Sequence, residues 1–555
     1  MTVPMQNDER SFSRLDQAFA LFLSQRAPFE PSGRKEFEIL LATLSQQQHQ
    51  GHSCIEITEG DKRLLLASGF ACEMPGGSPP PYPLVVEENR LYLQRYWSYE
   101  DRLAKQIKQL SLPSEPIDKL NQLLDRYFGA ETLETDWQRE AAKMACQQTL
   151  SIITGGPGTG KTTTVCKILA ILQELASPPL LIALAAPTGK AAMRLQEAIV
   201  QNLTALDCPD PVKGHIPQSA ITLHRLLGSR PPSPYFKHNA KNPLIFDLVV
   251  VDEASMVDLA LMSKLVDALK PGARLILLGD KDQLASVESG AVLSDLIAAL
   301  PSNTVELRQS HRFDSRIKKL AEAVNKQELE TAWRLLSENT GTTGLVDSRE
   351  LTAYILSQRE EYKCLVNSKA VFEEIYEAFN RFQVLCSNRL GKDGALAISA
   401  EIEQALFGQF HYGKTNWYTG RPVMVLENNP GLHLYNGDIG ICLPDRDQNG
   451  NLMVFFKRPD GSVKKILPAR MPICETAFAM TIHKSQGSEF EKIVIVLPEA
   501  VNPVLSKELL YTAITRAKSR VDLVANPEVF AATINKKYLR LSGLSKKIEH
   551  GGINQ

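Results

Sequence analysis

The run Ser151-Ile152-Ile153-Thr154-Gly155-Gly156-Pro157-Gly158-Thr159-Gly160-Lys161-Thr162-Thr163 carries the residue types that hold a polyphosphate. Its G-x-x-x-x-G-K-T spacing, from Gly155 to Thr162, lets the backbone N–H groups of Gly156, Gly158, Thr159 and Gly160 turn inward on phosphate oxygens. The helix expected to follow adds its positive N-terminal end. Lys161 is expected to reach the β- and γ-phosphates, and Thr162, with Thr163 beside it, to place a hydroxyl on Mg2+. Downstream, the apolar run 246–251 ends in Asp252-Glu253. Two carboxylates at the end of a strand near a phosphate loop divide into Asp252 on hydrated Mg2+ and Glu253 positioning and deprotonating an attacking water. Gln138, just upstream of the loop, has an amide that both donates and accepts, as adenine recognition requires. Gln283, in Gly279-Asp280-Lys281-Asp282-Gln283-Leu284, is placed to feel the γ-phosphate, and Arg312 to clamp charge on the transferred phosphoryl group. These residues together suit the hydrolysis of a nucleoside triphosphate.

A second group suits a phosphodiester backbone. Pro187-Thr188 precedes Gly189-Lys190-Ala191-Ala192, where a hydroxyl and the amides of a helix start would hold a nucleic-acid phosphate. The alternative is a plain strand-to-helix turn. Thr222-Leu223-His224-Arg225 offers a similar place, although a lone histidine such as His224 is commonly structural and counts only with its neighbours. The last third contains Thr481-Ile482-His483-Lys484-Ser485-Gln486-Gly487-Ser488-Glu489-Phe490 and Tyr511-Thr512-Ala513-Ile514-Thr515-Arg516-Ala517-Lys518.

Residues 135–315, which carry most of these groups, alternate buried-type strands with helices, the pattern of a parallel α/β sheet. Residues 316–420 and 471–540 read as a second such domain, interrupted at 421–470 by short strands and turns such as Asp447-Gln448-Asn449-Gly450, a small β-barrel. Residues 1–110 form a separate, mainly helical unit, in which Leu91 to Trp97 alternates like a strand and a helix starts near Tyr99. Tyr92, Tyr96, Trp97 and Tyr99 read as core, with a partner surface as the alternative. The proline-rich segment 229–246 is either a projecting hairpin or a loop. The polar tail from 541 to 555 is expected to be mobile.

Composition removes several classes. Lys plus Arg at 62 against Asp plus Glu at 63 leaves no global basic field, so nucleic acid must be held in a local groove. Nine scattered cysteines without a C-x-x-C predict reduced core residues, neither disulfides nor a structural metal. A polar N-terminus and the absence of a long apolar run predict no membrane segment and a cytoplasmic protein.

The ordered series from Gln138 through the phosphate loop, Ala-Pro-Thr-Gly-Lys-Ala-Ala, Thr-Leu-His-Arg-Leu-Leu-Gly, Val-Asp-Glu-Ala-Ser-Met, Gly-Asp-Lys-Asp-Gln-Leu, Arg312, the stretch 481–490 and Tyr-Thr-Ala-Ile-Thr-Arg-Ala-Lys resembles the superfamily-one helicases, and within them the RecD group. The short N-terminal unit and Arg-Leu-Tyr-Leu-Gln-Arg-Tyr-Trp resemble the alpha-subunit type of exodeoxyribonuclease V more than the longer, free-standing RecD-like helicases. The resemblance implies two RecA-like domains, residues 111–315 and 316–420 with 471–540, closing on ATP and Mg2+. Gly487 and Glu489 would join the nucleotide site, and Arg312 and Arg516 would complete it on closure. Single-stranded DNA would be held by Pro187, Thr188, Thr222, His224, Thr481 and His483, and moved 5′-to-3′. The 421–470 unit would be an SH3-like barrel and 229–246 a short strand-splitting pin. The resemblance further implies duplex DNA ends as substrate, RecB-like and RecC-like partners, and a role in recombinational DNA repair. No nuclease carboxylate cluster is seen, so any exonuclease would belong to the assembly. An RNA translocase of the same superfamily, a relaxase-associated helicase and a P-loop switch protein are the rival readings.

Overall fold

In the computed structural model the described residues are 12–550, except 74–80, 112–117, 132–133, 231, 287, 309–314, 409–416 and 459–460. The first α/β domain is a six-stranded sheet in the order Thr304–Glu306, Leu150–Thr154, Arg274–Gly279, Leu248–Val251, Ile182–Ala186, Ala220–Thr222. Each neighbouring pair is parallel. The Leu150, Ile182 and Leu248 strands are buried along their whole length, which is why they read as unbroken apolar runs rather than alternating ones. The second domain is a five-stranded sheet of Thr343–Leu345, Ala517–Val524, Phe490–Val496, Phe382–Cys386 and Ala479–Thr481, again all parallel. The chain therefore contains two parallel α/β sheets of the RecA-like kind, as expected.

The inserted unit is a five-stranded antiparallel sheet, Val463–Ile466, Leu452–Lys457, Ile439–Pro444, Arg421–Val425 and Cys474–Thr476. Its last strand lies beyond the expected end at residue 470. Among the described residues its two edge strands do not pair with each other, so the sheet packs on a small core of Val423, Val425, Cys442, Val454 and Phe456 without closing into the expected barrel by hydrogen bonds.

The N-terminal unit combines helices Arg14–Ser24, Pro31–His49 and Glu59–Ala67 with a four-stranded sheet. Here one expectation is corrected. The strand ends at Leu93, and Gln94 starts a helix that runs to Leu110, so Tyr96, Trp97 and Tyr99 are helical. Seven residues of alternating aromatics satisfy period 2 and period 3.6 about equally, and packing of Trp97, Leu103 and Ile107 on one face decides for the helix. Tyr92 and Trp97 are fully buried, in keeping with the core reading.

The mobile tail is a second correction. Leu544–His550 is a helix, with Leu544 and Ile548, one turn apart, buried against helices Gln94–Leu110 and Val292–Ala299. Burying such side chains is worth about 1.5–3 kcal/mol each, enough to order a segment whose remaining residues are polar. Lys547 pairs with Glu87 at 2.8 Å and lies over the Tyr92 and Trp97 rings, while the Gly543 N–H donates to the buried Glu100 carboxylate. Residues 551–555 lie outside the described residues. Among the described residues no helix is long and apolar enough to cross a membrane.

Candidate nucleotide site and nucleic-acid groove

The phosphate loop leaves the strand at Thr154 and re-enters a helix at Lys161. Glycine is required at both ends of the turn. A β-carbon on Gly155 would lie 2.8 Å from the Leu307 carbonyl oxygen, and Gly160 has φ +82°, where side-chain-bearing residues are strained. Lys161 Nζ donates to the Gly155 and Gly156 carbonyls at 2.6 and 3.1 Å. The ammonium is thus parked inside the loop it would share with phosphate.

Gln138 is brought to the loop by helix Trp137–Gln147, whose N-terminus is capped by the Asp136 carboxylate accepting from the Gln138 and Arg139 N–H groups. Its Nε2 donates to the Thr159 carbonyl at 3.2 Å. Asp252 and Glu253 follow the Leu248–Val251 strand, with Glu253 held in the left-handed region at φ +52° and its N–H donating to Asp252 Oδ1 at 2.9 Å. Such strain, of order 1–3 kcal/mol, is typical of functional sites. Burial raises the Asp252 carboxyl above its ordinary value and the adjacent Glu253 adds to this, while Lys161 pulls the other way. A half-buried carboxyl in that condition, within the field of the Lys161 ammonium, fits a hard divalent cation with oxygen ligands.

Asp280 is a site residue that its place in the sequence does not single out. It is buried and accepts from the Asp282 N–H at 3.0 Å, Gln283 Nε2 at 3.0 Å and the Tyr511 hydroxyl at 3.1 Å. Gln283 is therefore turned into its own loop in this structure. The loop is also gripped from the second domain: the Leu284 N–H donates to Thr512 Oγ1 at 2.8 Å and Gln486 Nε2 donates to the Leu284 carbonyl at 3.1 Å. Glu489 pairs across the cleft with Arg194 at 3.6 Å and within its own domain with Lys518 at 4.0 Å. Gly487 lies next to Ala191 of the first domain.

Arg516 is 3% exposed and tied back inside the second domain, donating to the Thr512 carbonyl at 3.1 Å and the Ser488 carbonyl at 3.3 Å. Arg312 lies outside the described residues.

The residues expected to hold DNA fall in two places. Thr188 and Thr222 are N-caps, accepting from the Ala191 and Arg225 N–H groups, so each hydroxyl has a local role at a helix start. Close to both runs a groove of about 610 Å³ between the first domain and the antiparallel sheet, lined by Lys190, Thr222, Arg225, Tyr435 and Arg458. Lys190 is half-buried near Arg194, and desolvation lowers its ammonium to about 8, with Arg194 adding to the effect. His224 stacks edge-on against Phe236, their ring centres 5.6 Å apart, and burial lowers its imidazole. Phe236 belongs to the 229–246 segment, which folds back through a Ser229–Phe236 bridge and a Lys264 ammonium on the Pro234 carbonyl; Tyr235 remains 76% exposed at its tip. Thr481 is buried, and His483 faces a different recess, shared with His52 and Arg540.

Nothing in the sequence pointed to Arg540. It donates to the Glu288 carbonyl at 2.6 Å, the Gly290 carbonyl at 2.9 Å and Ser286 Oγ at 3.3 Å, as well as the Ser286 carbonyl.

Comparison with known proteins agrees with this arrangement. An AAA domain matches residues 138–289, the UvrD-like helicase C-terminal domain matches 476–524, and the N-terminal domain of RecBCD enzyme subunit RecD matches 8–75. The chain is 37% identical over 531 residues to RecBCD enzyme subunit RecD of Haemophilus influenzae, covering 84% of this chain and 81% of that one. It is 39% identical over 492 residues to the protein of the same name in Mycolicibacterium smegmatis, covering 86% and 85%. With the ATP-dependent RecD2 DNA helicase of Deinococcus radiodurans it shares 32% identity over 477 residues, 84% of this chain but 60% of the longer relative.

Proposed function

The chain belongs to the RecD family of superfamily-one helicases, and from that premise we propose that it is an ATP-driven motor moving 5′-to-3′ on single-stranded DNA within a helicase–nuclease assembly. The assembly would contain RecB-like and RecC-like subunits and process DNA ends for recombinational repair in the cytoplasm. The relatives named as RecBCD subunits, and the match of residues 8–75 to their N-terminal domain, support that partnership, in which the N-terminal unit would be the docking element.

One observation carries the motor reading: the 280–284 loop is bonded both to the base of the phosphate loop, the Lys281 N–H donating to Thr154 Oγ1 at 3.3 Å, and to Tyr511, Thr512 and Gln486 of the other domain. Whatever shifts that loop must shift one domain against the other. Gln138 orients the base, and Lys161 leaves the Gly155 and Gly156 carbonyls for the phosphates. Mg2+, held by Thr162 and Asp252, would neutralise phosphate charge. Glu253 accepts the proton of the attacking water. For Arg516 to stabilise charge on the γ-phosphate it must exchange the Thr512 and Ser488 carbonyls for phosphoryl oxygens, which couples chemistry to rearrangement at the cleft. The strand would lie in the groove lined by Lys190, Arg225, Tyr435 and Arg458, with backbone contacts from the Thr188 and Thr222 caps.

The test is ATP hydrolysis by the purified chain with and without single-stranded DNA and RNA of equal length. Stimulation by DNA supports the reading, and stimulation by RNA alone favours the RNA translocase.

A further inference from the structure

Tyr511 occupies a position that the catalytic scheme leaves unused. It projects from helix Lys507–Ile514 of the second domain, yet its ring is 7% exposed because it reaches across the cleft. Its hydroxyl donates to Asp280 Oδ2 at 3.1 Å, and a β-carbon on Gly156 would lie 3.2 Å from the same oxygen. The phenol therefore touches both the phosphate loop and the carboxylate that organises the 280–284 loop. Burial, with Asp280 and Asp282 nearby, raises the phenol well above its ordinary value, so the group is a permanent donor.

Gly156 is also where Lys161 is parked, its Nζ 3.1 Å from the Gly156 carbonyl. A phosphate that draws Lys161 out of the loop arrives beside the Tyr511 hydroxyl. Arg516, five positions along the chain, is meanwhile bonded to carbonyls of its own domain. In this conformation Tyr511 is a second-domain side chain that lies against the phosphate loop, while Arg516 is bonded inside its own domain.

We propose that Tyr511 is a ligand of the terminal phosphate, its hydroxyl passing from Asp280 to a phosphoryl oxygen when a nucleoside triphosphate fills the loop. Release of Asp280 frees the Asp280–Leu284 loop from one of its cross-cleft bonds, so the same proton donor senses phosphate and loosens the interface. ADP lacks the terminal phosphate and leaves Tyr511 on Asp280. The inference rests on the nucleotide-hydrolysis part of the proposed function and is independent of its DNA part.

Two experiments on the full chain test it. In the first, 3-fluorotyrosine at position 511 is followed by fluorine NMR. Its resonance shifts on addition of Mg-ADP with aluminium fluoride and stays in place with Mg-ADP alone; equal shifts with both, or none with either, overturn the proposal. In the second, Tyr511→Phe lowers kcat for basal ATP hydrolysis about tenfold while ADP affinity stays within twofold, the loss expected for one donor to a charged group. Thr512→Val removes the neighbouring cross-cleft bond to Leu284 and measures what lost alignment alone does to turnover and to ADP affinity. If Tyr511→Phe weakens ADP as much as it slows turnover, or shows the same ratio of the two effects as Thr512→Val, the phenol only aligns the cleft and the proposal fails. A wild-type chain whose hydrolysis ignores DNA would refute the DNA motor and leave both comparisons intact.

Discussion

Arg540→Ala should destabilise the protein by about 3 kcal/mol and weaken the nucleotide site although residue 540 is remote in sequence from every nucleotide-binding motif. The guanidinium donates to three carbonyls and one hydroxyl between Ser286 and Gly290, and a β-carbon on Gly51 would come within 2.7 Å of it. A hydrogen bond involving a charged group contributes about 1.5–3 kcal/mol, and four on one fork are far from additive, since water reaches some of the freed carbonyls. Roughly 3 kcal/mol is the balance. The loop it holds follows directly on Asp280–Leu284, so its loosening should raise the KM for ATP several-fold at little cost to kcat. Arg540→Lys restores only part of the stability, because an ammonium cannot span the carbonyls that a planar fork reaches. Denaturant unfolding monitored at Trp97, with ATPase kinetics on the same samples, is the assay. A loss below about 0.5 kcal/mol with an unchanged KM would refute the claim that the C-terminal segment is part of the motor core.

Glu253→Gln should bind ATP within about threefold of wild type and turn it over at least a hundredfold more slowly, because the amide cannot take the water proton; equilibrium binding and single-turnover hydrolysis check this, and normal turnover removes Glu253 from its role. Asp295→Asn addresses pH. Burial lifts the Asp295 carboxyl to about 7, with Ser542 lowering and Glu100 raising it, and its Oδ2 has no hydrogen-bond partner. Between about pH 4 and 7 the unfolded chain has lost this proton and the folded chain has kept it, so wild-type stability falls as pH rises through that window. The asparagine variant should escape the fall and gain about 4 kcal/mol at pH 8 relative to its difference at pH 4; parallel unfolding curves at the two pH values, with no change in the difference, would contradict it.

How much of this was readable in the chain depends on whether a residue's role is local. The phosphate loop was legible because its chemistry lies within eight consecutive residues and its glycines answer to contacts at Leu307 and Gln138. Strand ends at Thr154 and Val251 were legible for the same reason, as buried apolar runs. Tyr511 was in view as part of the motif around Arg516, but only the cross-cleft geometry shows that the tyrosine meets Asp280 and the arginine faces inward. The C-terminal helix was hidden by composition: Leu544 and Ile548 are a two-residue apolar signal in a polar stretch, and what orders them is a surface formed by residues hundreds of positions earlier. The strand Cys474–Thr476 escaped because three residues of edge strand carry too little pattern to separate it from the chain returning to the second domain.

The central claim is a DNA motor with a defined direction. Unwinding of otherwise identical duplexes bearing a 5′ or a 3′ single-stranded tail by the purified chain, with Lys161→Ala as the inactive control, tests it most directly. ATP-dependent unwinding confined to the 5′-tailed duplex and lost in Lys161→Ala is the result this account predicts. Unwinding from the 3′ tail, or equal rates in Lys161→Ala, would contradict it.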